Sequence, residues 1–103
     1  MSINNLKNYE LTIILNDYEN AFNCQDDRIR AHYFIEKKEY DGKKRLPYPI
    51  TDKNGVRHEF GNYVFYYLVE RDSGVEPMYL TRLLDQDPTV LRYLLVKTQE
   101  RTK

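Results

Sequence analysis

The chain has no tryptophan, one cysteine, two histidines and only four glycines and four prolines in 103 residues. A lone Cys24 cannot form an internal disulfide, and with only His32 and His58 beside it no spacing reads as a zinc site. A reducing, cytoplasmic setting is the expectation. Cys24 could serve as a nucleophile with a distant histidine, but Asp26 and Asp27 nearby are the opposite of the electropositive surroundings that activate a thiol, so an inert cysteine is expected. Long apolar runs are also missing. The longest, Tyr63–Val69, falls far short of the roughly 20 residues that span a bilayer, so no membrane association is expected. The opening Met-Ser-Ile-Asn-Asn-Leu-Lys has no basic stretch followed by an apolar one, as a secretory leader would. There is no glycine-rich phosphate loop, and neither histidine has a spaced Ser or Cys partner. Catalysis, a cofactor and a small-molecule substrate are therefore not expected. Net charge is absent too, because sixteen basic side chains cancel sixteen acidic ones. That excludes a polyanion binder working by bulk charge alone.

What the chain does have is aromatic and β-branched material, ten Tyr and four Phe within 41% hydrophobic residues, enough for one modest core. Residues 1–103 read as a single domain, with a core from about residue 9 to 97 and a polar tail over 98–103. Tyr9, Leu11, Ile13 and Leu15 alternate on one face of a first strand. Asn16 and Asp17 are plausible caps, and Tyr18, Phe22 and Ile29 predict a short helix within 17–31.

From Tyr33 the pattern is β again, and Asp41-Gly42 would suit a tight hairpin. The polarity of Lys37, Lys38, Lys43, Lys44 and Arg45, followed by Pro47 and Pro49, instead predicts a long, bent edge strand, since proline cannot donate to a ladder. Residues 51–60 read as a polar connection centred on Asn54-Gly55. Residues 62–71 hold the most apolar strand, with Tyr63, Phe65 and Tyr67 on one face and Val64, Tyr66 and Leu68 on the other. Pro77 suits the first turn of a second helix, with Val75, Tyr79, Leu80, Leu83 and Leu84 as its apolar face and Asp87-Pro88 as its end. A last strand covers 90–97. The order βαββαβ predicts an α+β, ferredoxin-like sandwich, a four-stranded antiparallel sheet with two helices on one face and the first and third strands in the middle.

Charge is divided along the chain. Between Lys37 and Arg57 seven basic residues face three acids, and a second basic group comprises Arg92, Lys97, Arg101 and Lys103; acids collect over 17–27. For Lys37 and Lys38, phosphate contact and charge that keeps an edge strand from pairing with other chains are both open. Lys43, Lys44 and Arg45, beside a turn, point more to RNA contact. Base stacking on the many tyrosines, as in RNA-recognition motifs, would want a basic residue and Gly immediately before an aromatic on the third strand. Here Phe60 precedes Gly61 and Asn62 follows it, so these aromatics read as core or protein interface. Asp26-Asp27 and Asp85–Asp87 could hold a cation, but they suit helix-end or turn positions better.

The segment Gly42-Lys-Lys-Arg-Leu-Pro-Tyr-Pro-Ile50 resembles the stretch that characterises bacterial small-subunit ribosomal protein six. Gly42, Lys44, Arg45, Leu46, Tyr48 and Ile50 match the family pattern, while Pro47 and Thr51 depart from it. Asn8-Tyr9-Glu10 with the following Ile/Leu strand, residues 61–70, and Asp87 through Lys97 are similar to its first strand, third strand and last helix-to-strand step. Against the family, the first helical region looks shorter and the loop over 51–60 longer. The resemblance implies a structural component of the small ribosomal subunit, located on cytoplasmic or organellar ribosomes. It would bind the central domain of the small-subunit rRNA together with small-subunit ribosomal protein eighteen. Lys43, Lys44, Arg45, Arg92 and Lys97 are the expected RNA contacts, with Tyr48 and Ile50 positioning the strand or meeting the partner. The competing class is a non-ribosomal ferredoxin-like module, for example a homodimer that binds a small ligand or a protein through its aromatic sheet face.

Overall fold

The computed structural model describes residues 7–16, 25–71 and 77–98. Cys24, Val75, most of the first helical region and the polar tail beyond Thr98 lie outside the described residues. Strand β1 is Asn8–Leu15, residues 25–30 are helical (α1), β2 is Tyr33–Thr51, β3 is Arg57–Glu70, α2 is Pro77–Gln86 and β4 is Val90–Thr98. The four strands form one antiparallel sheet in the order β2-β3-β1-β4. This is the ferredoxin-like arrangement, with the two most apolar strands, β1 and β3, in the middle and the polar, proline-bearing β2 at an edge.

The period-2 pattern of β1 decides which side is buried. Tyr9, Leu11, Ile13 and Leu15 face the same side as their neighbours Leu68, Tyr66 and Val64 of β3, and Ile29 of α1 and Leu80 and Leu84 of α2 pack on that side to close the main core. Pro77 opens α2, where its missing N–H costs nothing, and the turn after Gln86 is tied by Asp87, whose carboxylate accepts the Thr89 N–H at 2.9 Å and the Thr89 hydroxyl at 2.6 Å. The same carboxylate takes Arg28 Nη1 at 2.8 Å and the amide of Gln25, joining α1 to the α2–β4 turn. Burial raises the Asp87 pKa, yet the Thr89, Arg28 and Gln25 partners together hold it below its ordinary value. Asp26 likewise takes Lys38 and, at 2.7 Å, the Tyr66 hydroxyl. These aspartates are structural fasteners. Among the described residues no group of three or more His, Cys, Asp or Glu could hold a metal ion, and no helix is long and apolar enough to cross a membrane.

The β2–β3 hairpin differs from the expectation at its tip. Strand β3 begins at Arg57, not Asn62, so the supposed polar connection shrinks to a turn over 52–56. The reason lies in Asp52. Its carboxylate accepts the Asn54 and Val56 N–H groups at 2.8 and 2.9 Å and meets His58 Nε2 at 2.8 Å, while Gly55 supplies the positive φ of 85° that the turn needs. The His58 hydrogen bond is the largest of the effects that lower the Asp52 pKa. So closed, the turn lets polar Arg57, His58 and Glu59 join the ladder despite their poor strand propensity. His32 packs edge-on against Tyr79 at 4.3 Å between ring centroids.

Candidate nucleic-acid interface

Strand β2 is bent by register shifts between Ile35 and Lys37, Tyr40 and Gly42, and Arg45 and Ile50. Each shift exchanges the faces of the residues that follow. At the last one, Arg45 lies opposite Phe60 and Ile50 opposite His58, so Leu46–Pro49 bulges against a single residue, Glu59. Pro47 and Pro49 have no N–H to give a ladder, which is why the chain leaves it here. Leu46 and Ile50 turn inward and join Leu91, with Ile14 and Tyr63 packed beside them, in a second small core. This core anchors the distal hairpin to β1 and β4. Gly61 sits beneath it, where an added Cβ would collide with Ile14 Cγ2 and lie 3.3 Å from Leu46 Cδ2.

The expected RNA-contact residues fall into different settings. Lys43 and Arg45 share one aromatic partner, with Lys43 Nζ 5.8 Å and the Arg45 guanidinium 5.9 Å from the centre of the Phe60 ring, which is 46% exposed. Neither makes an ion pair among the described residues. Lys44 instead lies over Tyr63 at 5.7 Å and is bonded to Asp41, an exposed pair of the kind worth about 0–1 kcal/mol. Arg92 is on β4 across the sheet, giving Nη1 to the Leu91 carbonyl at 3.0 Å. It borders a cavity of about 240 Å³ that Lys53, from the hairpin tip, also lines. Lys97 stands opposite Tyr9, five residues further along β4, about 17 Å from Arg92 at ordinary strand rise. The hairpin and the tip thus bring Lys43, Arg45, Lys53 and Arg92 to one end of the domain, and Lys97 is not part of that group. Tyr48 and Ile50, paired in the sequence reading, separate: Ile50 is 4% exposed in the second core and Tyr48 is 65% exposed at the bulge.

The solved structure of 30S ribosomal protein S6 from Thermotoga maritima matches this architecture with a TM-score of 0.70, over 90% of this chain and 88% of that one, at 20% sequence identity. The likeness is one of fold. No protein-family model matches the chain, and no curated protein matches it either.

Sequence reasoning counted Lys53 and Arg57 in the basic cluster without singling them out as contacts, and it missed Phe60. Arg57 lies within the segment first read as a loop, and its place in β3 puts it beside the bulge. Phe60 gave no signal by itself, because its role as a platform for two cations depends on the register across the hairpin. The other face of the sheet, opposite the helices, carries half-buried Tyr63, Phe65, Tyr67 and Val69 with exposed Phe34, Leu94 and Val96. At its β2 edge, Arg71 lies 4.8 Å from the Phe34 ring, and Lys37, over Tyr67 at 5.7 Å, pairs with Glu39 at 3.2 Å.

Proposed function

We propose that the chain is a structural, non-catalytic component of the small ribosomal subunit that binds the central domain of the small-subunit rRNA together with small-subunit protein eighteen. One observation carries this reading: the hairpin segment resembling the ribosomal protein six motif, Gly42 to Ile50, is the arm that presents Lys43 and Arg45 around Phe60 with no ion pair among the described residues. The fold likeness to a 30S ribosomal protein S6 supports it. Lys43 and Arg45 would meet phosphates directly, Lys44 by exchanging Asp41 for a phosphate, and Arg92 and Lys53 from the neighbouring lip. Lys97 would act separately at the far end of β4. Because the protein is neutral overall, these few contacts give limited affinity alone, and a basic partner on the apolar sheet face would supply the rest.

The test is binding of the purified protein to a central-domain rRNA fragment, with and without protein eighteen, across a salt series. Tight binding is expected only with the partner present. Lys43→Glu with Arg45→Glu should weaken the ternary complex at least tenfold and lower the salt slope by about one per lost contact, while the thermal transition stays put. Negligible binding under both conditions refutes the reading. The exposed Phe34, Leu94 and Val96 favour a second reading, a homodimer through the open sheet face. A concentration-dependent dimer without RNA affinity would decide for it.

A further inference from the structure

The bulge in β2 does more than bend the strand. With Leu46 and Ile50 drawn into the second core, the Pro47-Tyr48-Pro49 segment is held outward, and its two prolines fix the backbone on both sides of the tyrosine. The Tyr48 ring is 65% exposed, and its hydroxyl makes no hydrogen bond among the described residues. Together with Arg45, Arg57 and Glu59 this segment lines a shallow groove of about 150 Å³. That is too small to enclose a whole cofactor, whose pockets run from about 300 to 1,000 Å³, so a ligand of that size would lie across the groove and stay largely exposed. Its chemistry is mixed in a particular way. Among the described residues Arg45 has no carboxylate partner and Arg57 has only a loose one, its Nε 4.0 Å from Glu59, while the exposed Tyr48 lines the same groove.

We propose that this groove holds one unpaired nucleotide of RNA. The base stacks on Tyr48, the flanking phosphate is taken by Arg45 and Arg57, and Glu59 accepts a hydrogen bond from an amino group of the base. Two guanidinium groups against one carboxylate favour an anionic ligand, and each can hold a phosphate by two parallel hydrogen bonds. The aromatic side chain is exposed, and it stands on a backbone segment that the two prolines hold in place, so only its side-chain torsions are ordered on stacking. A duplex would not serve, since its bases are already stacked and the ring could not reach a base face. The inference rests on the RNA-binding reading above and adds to it a defined subsite.

The experiment uses the full chain, protein eighteen and the same central-domain rRNA fragment. Tyr48→Ala should weaken the complex by about 5- to 100-fold, and Tyr48→Phe should leave it within about twofold, because stacking needs the ring and not the hydroxyl. Arg57→Gln should lower the salt slope by about one. Ultraviolet irradiation should crosslink the peptide bearing Tyr48 to a single-stranded nucleotide. If the wild-type protein fails to bind the RNA, both the function and the subsite fall. If it binds while Tyr48→Ala binds equally well, the subsite alone is wrong. A loss with Tyr48→Ala that comes without any crosslink, and only through weaker association with protein eighteen, assigns Tyr48 to a protein interface and also overturns the subsite. The thermal transition of Tyr48→Ala should match that of wild type, since the side chain is outside both cores.

Discussion

Replacing Gly61 by alanine sets two opposed effects against each other, and their sizes decide the sign. Gly61 is not among the glycines with positive φ, so alanine fits its backbone, and in a strand interior the lost flexibility of the unfolded chain should favour alanine by about 0.5–1 kcal/mol. Against this, the new Cβ would fall well inside van der Waals distance of Ile14 Cγ2, with Leu46 Cδ2 at 3.3 Å and Leu91 Cδ1 at 3.8 Å. Leu46 can yield, because its methyl is the far end of a flexible side chain. Ile14 cannot yield as easily: its Cγ2 is attached to a branched Cβ in the middle of β1, so relief demands an off-rotamer χ1 or a shift of the central strand. Overpacking of this kind costs about 1–3 kcal/mol. The net expectation for Gly61→Ala is a loss of about 1–2 kcal/mol, with each kcal/mol lowering Tm by about 4–8 °C in a domain of this size. Urea unfolding monitored by tyrosine fluorescence measures it directly. The sharper test is the cycle with Ile14→Ala. Once that methyl is gone, Gly61→Ala should become neutral or stabilising, so the two changes should couple by about 1–3 kcal/mol. A fully additive cycle, or a Gly61→Ala variant as stable as wild type, would refute the claim that Ile14 over Gly61 fixes the base of the hairpin.

Two further expectations concern titratable groups. Because the Asp87 pKa is held below 3.8, its contribution to stability is present above that value and is lost as pH falls through the lowered one. Asp87→Asn should cost about 1–3 kcal/mol at neutral pH through weakened bonds to Thr89 and Arg28, and the variant and wild type should converge below pH 3.8; a constant difference across the acid range would be the wrong result. The Tyr33 hydroxyl is buried without a hydrogen-bond partner among the described residues, and burial, with Tyr9 and Glu70 beside it, pushes its pKa up to about 12. Stability linked to this proton is complete below pH 10 and declines as pH rises towards 12 and beyond. Tyr33→Phe should therefore be neutral or slightly stabilising at pH 7 and should soften the alkaline decline, both read from unfolding curves; a loss above about 1 kcal/mol would mean that the hydroxyl has a partner.

The strands were legible because their signals are local. Alternation in Tyr9–Leu15 and the two-sided apolar run at Tyr63–Val69 are what middle strands require, and the structure puts both in the middle. Prolines and lysines marked β2 as an edge for the same kind of reason. The start of β3 was missed because Arg57–Glu59 is intrinsically poor strand material, held in the ladder by a turn that Asp52 and His58 close. At the candidate interface, the basic cluster could be read as a cluster, but which of its members are free could not.

That difference follows from the register of β2. Simple alternation from Tyr33 would place Lys37 beside Ile35 on the helix-facing side, whereas the shift after Ile35 puts Lys38 there, against Asp26 and Tyr66, and sends Lys37 to the open face over Tyr67. The second shift assigns Lys43 to Phe60 and Lys44 to Tyr63 and Asp41, and the third throws Tyr48 outward while it buries Leu46 and Ile50. The sequence alone determined the layers, the order of the sheet and a neutral protein with one basic arm, since burial pattern and charge are carried by each residue in its place. Which cations pair with carboxylates, which aromatic stands exposed at the bulge and where the arm is fixed to the sheet were decided only by tertiary structure. They depend on three bulges: the prolines of β2 place the third and Gly42 suits the second, but the face each following residue takes is fixed only by pairing with β3.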